Sequence, residues 1–305
     1  MMMREPERWS GMRGTFMRNA SLAKHTSWRV GGPADAAYVP ADSDDLAAFV
    51  TQSPANEPIT VLGLGSNVLV RDGGIRGTVV LLHAALATLE LRDGLVYAQA
   101  GVASPKVARF AAAEGLRDAE FLAGIPGTIG GALAMNAGCY GGETWRFVVS
   151  VDVVTRDGRV LTRAADAFDI GYRTVAPRDQ SVGEEIFVAA RFCFPAGESV
   201  SARARIKELL ARRSASQPLN LPNAGSVFRN PQGDHAARLI EVCALKGYAI
   251  GGARVSEKHA NFIVNPNGDA TAADIEALIA YVRTTVCART GINLEPEVRI
   301  IGEAA

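Results

Sequence analysis

The stretch AGIPGTIGGALAMNAGCYGGE, residues 123–143, contains eight glycines or prolines among small apolar residues. Small residues allow a flat or charged ligand to approach the backbone closely. Gly130 and Gly131 precede ALAMNAG, which can form a short helix whose backbone N–H groups would face a pyrophosphate. A long buried turn explains the same composition, so this segment alone leaves both interpretations open.

A second glycine segment, GLGSN at residues 63–67, comes earlier in the chain, between two apolar runs typical of strands. Glycines and a serine in such a place can present backbone N–H groups in a concave nest that holds phosphate oxygens. No helix follows, so GLGSN is not the dinucleotide-binding fingerprint. By itself the pattern favours a tight hairpin turn that needs a positive φ. Two such segments in one chain favour a ligand for the longer one.

The regions around both segments predict an α+β architecture. Residues 28–82 alternate short β-branched runs with turn signals, and Asp42 or Ser43 is expected to cap a helix over DDLAAFV. This gives a small β-α-β unit followed by another strand. Residues 85–195 resemble strands around one helix, which Ser104 is expected to cap and whose first turn contains a proline.

The last third of the chain predicts two longer helices. SARARIKELLARRSASQ, residues 201–217, has helical spacing of its apolar residues, and we place a domain boundary near Glu198. TAADIEALIAYVRTTVCARTG, residues 271–291, is expected to end at Gly291. Its predicted buried face comprises Ile275, Leu278, Ile279, Val282 and Val286.

Length and composition limit the function classes. The 305 residues contain 48% hydrophobic and 21% charged residues, as in ordinary globular proteins of two or three domains. Lys plus Arg and Asp plus Glu number 32 each, so no overall charge attracts nucleic acid or an anionic membrane. The four cysteines are widely spaced, which favours a reducing cytoplasm over a zinc site or disulfides. The N-terminal residues have the pattern of neither a signal peptide nor a membrane anchor.

NAGSVFRNP, residues 223–231, contains one serine, Ser226, between a glycine and a valine. The surrounding residues do not form a nucleophile elbow, because no glycine follows two places on. No histidine lies close in sequence to act as its base. A serine that bonds its own loop backbone is the plain structural interpretation.

Four further polar residues, at three places in the chain, admit two interpretations each. His259, in SEKHANFIVN, suits either a site or a satisfied core or surface position. Glu295 and Glu297 lie two apart in INLEPEVRIIGE, on one face of an expected strand, which suits acid–base chemistry or a solvated edge. Arg173, in GYRTV, suits an anion clamp or an ordinary surface position.

Taken together and in order, seven segments resemble the UDP-N-acetylenolpyruvoylglucosamine reductases, flavoenzymes of peptidoglycan precursor synthesis. They are TSWRVGGPA, VLGLGSNVLVRDGG, FLAGIPGTIGGALAMNAGCYG, GYR, NAGSVFRNP, SEKHANFIVN and LEPEVRIIGE. The resemblance covers about residues 22–303. One such match can arise by chance, whereas seven in family order are specific.

The resemblance implies an α+β fold, with an FAD-binding fold of the vanillyl-alcohol-oxidase type and a third, substrate-binding α+β domain. In this chain the expected divisions are an N-terminal extension at 1–20, FAD-binding subdomains at 21–84 and 85–198, and the substrate-binding domain at 199–305. A last strand near 294–302 would return to the active site.

The resemblance also assigns both glycine segments to FAD, in agreement with the nest argument. The implied cofactor-binding residues are Gly63, Gly65, Ser66, Asn67, Gly124, Ile125, Pro126, Gly127, Thr128, Gly130, Gly131 and Ala132. No metal ion is implied.

In the implied reaction NADPH reduces FAD and leaves, and UDP-N-acetylglucosamine enolpyruvate then accepts a hydride on its methylene carbon. The negative charge that develops beside it needs a cation and a proton-bearing carboxyl group, roles that the resemblance gives to Arg173 and Glu297. Ser226 would supply the proton, as a general acid rather than a nucleophile. Asn230 and His259 would line the part of the site that holds the substrate's diphosphate and carboxylate.

This chain departs from the family pattern in two places. Val175 stands where the family often has a serine two places after the arginine, and His25 precedes Thr26 where the family commonly has asparagine. The middle domain has no large insertion, as in the shorter family type. A flavin oxidase of the same fold and a nucleotide-binding module without catalysis are the alternative functions.

Overall fold

The computed structural model of the chain describes Trp9, residues 11–83 and residues 85–305; of the predicted extension, residues 1–8 and 10 lie outside this range. The strands are β1 (Thr15–Ser21), β2 (Pro33–Val39), β3 (Ile59–Leu62), β4 (Val68–Val70), β5 (Ile75–Leu81), β6 (Leu89–Arg92), β7 (Leu95–Gln99), β8 (Gly138–Cys139), β9 (Gly142–Glu143), β10 (Val148–Thr155), β11 (Val160–Ala164), β12 (Phe168–Gly171), β13 (Thr174–Pro177), β14 (Glu185–Phe192), β15 (Ala249–Ile250), β16 (Ala253–Val255), β17 (Ile263–Val264) and β18 (Arg299–Ile301). The helices are α1 (Ser43–Gln52), α2 (Ser104–Ala113), α3 (Ile129–Ala134), α4 (Ser199–Ser216), α5 (Ala236–Val242) and α6 (Ala272–Thr290). None of the helices in the described range is long and apolar enough to cross a bilayer.

The chain divides into two compact units that alternate along the sequence. Unit 1 comprises residues 1–18, 36–63 and 77–211, and unit 2 comprises residues 19–35, 64–76 and 212–305. The division predicted from the sequence runs in consecutive segments and stays a prediction.

Unit 1 contains an antiparallel five-stranded sheet in the order β11-β10-β14-β7-β6. Val151 and Val153 of β10 lie in one hydrophobic core, and Val154 lies in a second core. Because neighbouring side chains of a strand point to opposite faces, the sheet is covered on both sides. This explains why β10 places valines on both of its faces.

The predicted β-α-β unit is confirmed as β2, α1 and β3, with β3 parallel to β5. Asp42 caps α1 as predicted, and its Oδ1 accepts a hydrogen bond from the Asp45 N–H at 2.9 Å. Trp9, within the predicted extension, is buried and stacks on Phe49 with ring centroids 4.9 Å apart.

The prediction that Ser104 caps α2 is wrong. The cap residue is Ala103, and Ser104 is the first residue of the helix, with no side-chain capping bond. Ala103 pairs with Thr128 in an isolated bridge, and the Ser104 N–H donates to the Gly127 carbonyl oxygen at 2.9 Å. Because of this long-range pairing, which no local sequence pattern reveals, the helix begins at Ser104, one residue earlier than predicted.

In unit 2, α6 confirms the pattern seen in the sequence. All five predicted core residues are buried, and Gly291 ends the helix in the left-handed region at φ 74°. Thr271 and Asp274 form a capping box at its start. The Asp72 carboxylate accepts hydrogen bonds from the N–H groups of Ala272 at 3.0 Å and Ala273 at 2.9 Å.

Candidate functional site

The longer glycine segment forms the short helix that its sequence predicts, α3 of unit 1. However, the first N–H groups of this helix are bonded to protein: Ile129 donates to the Val102 carbonyl at 2.8 Å, and Gly130 donates to the Ala100 carbonyl at 2.9 Å. These two groups therefore anchor the loop to the sheet. Both groups have protein acceptors, and a contact of this helix with a pyrophosphate stays a prediction.

A pair of buried hydroxyl groups lies beside this loop. Thr128 is 2% exposed and Ser104 is fully buried, and within the described residues neither hydroxyl has a hydrogen-bond partner. A Cβ atom placed on Gly63 would clash with the Thr128 Oγ1 atom, so a side chain at position 63 would displace this hydroxyl. Since a buried hydroxyl without a partner is costly, this arrangement suits a bound polar group. Ser104 was missed in the sequence because it was interpreted as a cap.

The other predicted cofactor residues of this segment divide into two sets. Gly124, Ile125, Gly127 and Ala132 are buried, and a Cβ atom on Gly124 would clash with Cys139 and Tyr140. Their small size or apolar character is explained by packing within unit 1. The accessible ones are Pro126, Gly130 and Gly131, and a Cβ atom on Gly131 would meet only the Thr128 Oγ1 atom, at 3.9 Å.

Arg173 lies at the tip of a hairpin that was not predicted. Gly171 pairs with Thr174, which leaves Tyr172 and Arg173 as a two-residue turn between β12 and β13. Arg173 has φ 56°, a conformation that is uncommon for a residue other than glycine. Its guanidinium carbon lies 5.1 Å from the centre of the Tyr172 ring. Val175, the family departure, packs its partly buried side chain against the core of unit 1.

The shorter segment, GLGSN, is not a hairpin turn, because β3 pairs with β5 and β4 pairs with β18. Its expected positive φ is found at Gly65, at 57°. In unit 2 the Gly65 carbonyl accepts a hydrogen bond from the Ser27 N–H at 3.1 Å. A Cβ atom on Gly65 would clash with the backbone of His25.

Gly65→Ala is expected to lower the free energy of unfolding by about 2 kcal/mol or more, because the left-handed conformation and the backbone clash both act against a side chain. Urea unfolding measures this loss. Gly183→Ala is the control, since no atom lies within 4 Å of a Cβ there. Equal stability of the two variants would contradict the explanation.

Unit 2 brings Ser226, Glu297 and Asn67 onto neighbouring backbone segments. The Glu297 N–H donates to the carbonyl of Val227, the residue after Ser226, at 2.7 Å. The Asn67 Nδ2 donates to the Glu297 carbonyl at 3.2 Å. Ser226 and Glu297 are both half-buried. The segment that bears the predicted general acid is therefore bonded directly to the segment that bears the predicted carboxyl group.

Glu295 and Glu297 precede β18 and do not lie in a strand as predicted. Pro296 pairs with Phe228 in an isolated bridge, and the N–H groups of Glu297 and Val298 both point to the Val227 carbonyl. Two donors thus converge on one acceptor, as at a β-bulge, and the regular ladder of β18 with β4 begins at Arg299.

Asn261 fixes the Ser226 segment and was missed in the sequence. Its carbonyl accepts from the Val227 N–H at 2.9 Å. Its side chain bonds both backbone groups of Phe228, with distances of 3.0 Å and 2.8 Å. Because Asn261 is only 4% exposed, these bonds are shielded from water. The signal available in the sequence was an asparagine inside the apolar run that follows His259.

His259 and Asn230 have defined partners in unit 2. The His259 Nδ1 atom accepts from the Asn261 N–H at 3.3 Å, and burial lowers the pKa of the His259 ring. The ring is therefore neutral at pH 7 and can donate through Nε2. Asn230 uses its Oδ1 atom to accept from the Ala236 N–H at the start of α5, at 3.1 Å.

Two family profiles match the chain. Residues 34–163 match the FAD binding domain, and residues 217–301 match the C-terminal domain of UDP-N-acetylenolpyruvoylglucosamine reductase. These matches define the chain as an FAD-dependent oxidoreductase with an α+β fold that includes an FAD-binding domain, as predicted.

Whole-chain relatives carry the same name. The UDP-N-acetylenolpyruvoylglucosamine reductase of Nitrosospira multiformis is 55% identical and covers 97% of this chain and 91% of its own length. That of Methylococcus capsulatus is 58% identical, covering 96% and 95%. The crystal structure of the Thermus caldophilus enzyme matches with a TM-score of 0.80 at 32% identity, over 95% of this chain and 99% of that one. The chain belongs to the UDP-N-acetylenolpyruvoylglucosamine reductase family.

Proposed function

We propose that this chain reduces UDP-N-acetylglucosamine enolpyruvate to UDP-N-acetylmuramate, with Arg173, Ser226 and Glu297 acting on the enolpyruvyl group. The FAD-dependent reduction in peptidoglycan precursor synthesis, with NADPH as donor, follows from family membership. The assignment of Ser226 and Glu297 is supported by the hydrogen bond from the Glu297 N–H to the carbonyl of Val227, the residue after Ser226, at 2.7 Å, whereas that of Arg173 rests on the family resemblance.

The loop that contains Thr128, together with Ser104 and Gly63, fits FAD. Within the described residues, Thr128 and Ser104 offer two buried hydroxyls without a protein partner, and the missing side chain at Gly63 allows the Thr128 hydroxyl to keep its place. Pro126, Gly130 and Gly131 present an accessible surface with little side-chain bulk. When bound, FAD supplies a hydride acceptor for NADPH and a hydride donor for the sugar nucleotide.

The catalytic residues act on the charge that the reduction creates. Addition of a hydride to the methylene carbon leaves negative charge on the adjacent carbon and its carboxylate. The Arg173 guanidinium can bind the carboxylate with two parallel hydrogen bonds. The Glu297 carboxyl group would donate a hydrogen bond where the charge develops. The Ser226 hydroxyl delivers its proton to the adjacent carbon, which completes the saturated lactyl group.

Outside the chemical step, His259 and Asn230 serve the substrate. A neutral His259 donates one hydrogen bond through Nε2 without adding charge. The Asn230 Oδ1 atom is used at the start of α5, which leaves its amide N–H groups for an anionic substrate.

We also place this activity in the cytoplasm, where it serves cell-wall growth and, through it, cell shape and division. The four cysteines, none of which forms a disulfide within the described residues, support a reducing compartment. The family membership supports the role in the cell wall.

The reaction is tested by incubating the enzyme with NADPH and the enolpyruvyl sugar nucleotide. We expect NADPH consumption that depends on the sugar nucleotide, and a product that mass spectrometry finds heavier by two hydrogen atoms. NADPH consumption that depends on oxygen and ignores the sugar nucleotide would indicate a flavin oxidase instead.

Thr128→Val is expected to weaken FAD binding by about 3- to 10-fold, because it removes one hydrogen bond to the cofactor. It should leave the stability of the FAD-free protein unchanged or slightly raised, since the hydroxyl has no partner there. FAD titration and urea unfolding measure the two effects.

Thr144→Val is the matched control, as Thr144 is also buried but its hydroxyl donates to the Ala137 carbonyl at 2.7 Å. This variant should lose about 1 kcal/mol of stability and keep its FAD affinity. Unchanged FAD affinity in Thr128→Val would remove Thr128 from the cofactor site.

A further inference from the structure

Asn136, two residues after the end of α3, has a buried side chain whose amide connects three segments of unit 1. It is 2% exposed. Its Nδ2 donates to the Glu143 Oε2 atom at 3.0 Å and to the Gly171 carbonyl at 3.3 Å, and its Oδ1 accepts from the Trp145 N–H at 3.1 Å. Both ends of the amide are therefore satisfied by protein.

The backbone of Asn136 is firmly attached to α3. Its N–H donates to the Leu133 carbonyl at 3.3 Å, and the next residue donates to the Ala132 carbonyl at 2.9 Å. Asn136 has φ 37°, in the left-handed region that asparagine tolerates better than most residues. Asn136 is thus held in place by α3, and its side chain extends that attachment to the segments it bonds.

The hairpin of β12 and β13 depends on such attachments. Within the described residues these two strands form a sheet of their own, and an isolated two-stranded hairpin is marginally stable. At its base, Phe168 is buried and packs on Trp145 with ring centroids 4.9 Å apart. Towards the tip, the Gly171 carbonyl that binds Asn136 directly precedes the turn residues Tyr172 and Arg173.

We propose that Asn136 is a positioning residue, which fixes the tip of this hairpin and so places Arg173 for the substrate carboxylate. The inference rests on the proposed role of Arg173. The hydrogen bond to Gly171 removes freedom at the point where the chain enters the turn. A misplacement of about 1 Å at a reacting group can cost about 10²-fold in rate.

The test uses Asn136→Gly in the FAD-loaded enzyme, because glycine keeps the left-handed backbone and removes only the amide. Reduction by NADPH should stay within about twofold of the parent rate, whereas restoration of the flavin spectrum by the sugar nucleotide should slow by about 10- to 100-fold. Hydrogen exchange should accelerate at residues 171–175. Asn19→Gly is the control, because Asn19 also has a positive φ, at 47°, but is exposed.

A double variant separates positioning from general weakening. In an Arg173→Ala background, Asn136→Gly should slow the second half-reaction no further, since the group it positions is gone. If the two substitutions instead slow the second half-reaction by factors that multiply in the double variant, the inference is overturned. Full activity of Arg173→Ala alone would instead refute the proposed role of Arg173. If Asn136→Gly does not fold, the double substitution Asn136→Asp with Glu143→Gln must show the same pattern: it keeps the acceptor for Trp145, lets residue 143 become the donor to residue 136, and loses the donor for Gly171.

Discussion

Ser226→Ala is expected to slow the transfer of reducing equivalents to the sugar nucleotide by about 10²-fold or more, the usual size of general acid catalysis. Reduction of the flavin by NADPH should remain nearly intact, because no proton is delivered to the sugar nucleotide in that half. Rapid-mixing absorbance measurements of the two half-reactions separate these rates.

The design has a control and a partial rescue. Ser216→Ala removes an exposed hydroxyl of α4 that bonds its own helix at 3.0 Å, and it should leave both rates unchanged. Ser226→Cys keeps a group that can donate a proton and should recover part of the lost rate. Equal losses in both half-reactions of Ser226→Ala would mean that Ser226 positions the flavin instead.

Arg173→Ala is expected to lower kcat/KM for the sugar nucleotide by about 10²- to 10³-fold, the cost of removing one preorganised donor from a developing negative charge. Substrate affinity should also weaken, by about tenfold, because the arginine meets the carboxylate before the reaction as well. Titration of the oxidised enzyme with substrate measures affinity separately from rate.

The kcat/KM of Arg173→Lys should lie between those of the parent and Arg173→Ala, since lysine keeps the positive charge but cannot form two parallel hydrogen bonds to a carboxylate. Arg159→Ala is the control, because Arg159 is exposed and pairs with Asp157 at 2.7 Å on the surface. Unchanged substrate affinity in Arg173→Ala would contradict its double role.

Local patterns predicted the parts of the fold that local physics decides. The apolar face of α6, its end at Gly291 and the cap at Asp42 follow from helical periodicity and backbone conformation, and the structure confirms them. The positive φ in GLGSN is likewise a local requirement, met at Gly65.

The features that local sequence patterns did not predict depend on pairing between segments far apart in the chain. GLGSN connects strands of two different sheets, and the bridge between Ala103 and Thr128 moves the start of α2. The buried amides of Asn136 and Asn261 bond to segments 35 and 33 residues away in sequence, so no local spacing marks them. The site residues themselves came from the resemblance, because Arg173, Ser226 and Glu297 have ordinary surroundings in sequence.

The most direct test of the reductase function is the visible spectrum of the purified enzyme under anaerobic conditions. It is recorded before NADPH is added, after NADPH, and after UDP-N-acetylglucosamine enolpyruvate. We expect a yellow flavin spectrum that bleaches with NADPH and returns only with the sugar nucleotide. A colourless protein, or a spectrum that returns only with oxygen, would contradict the reductase function.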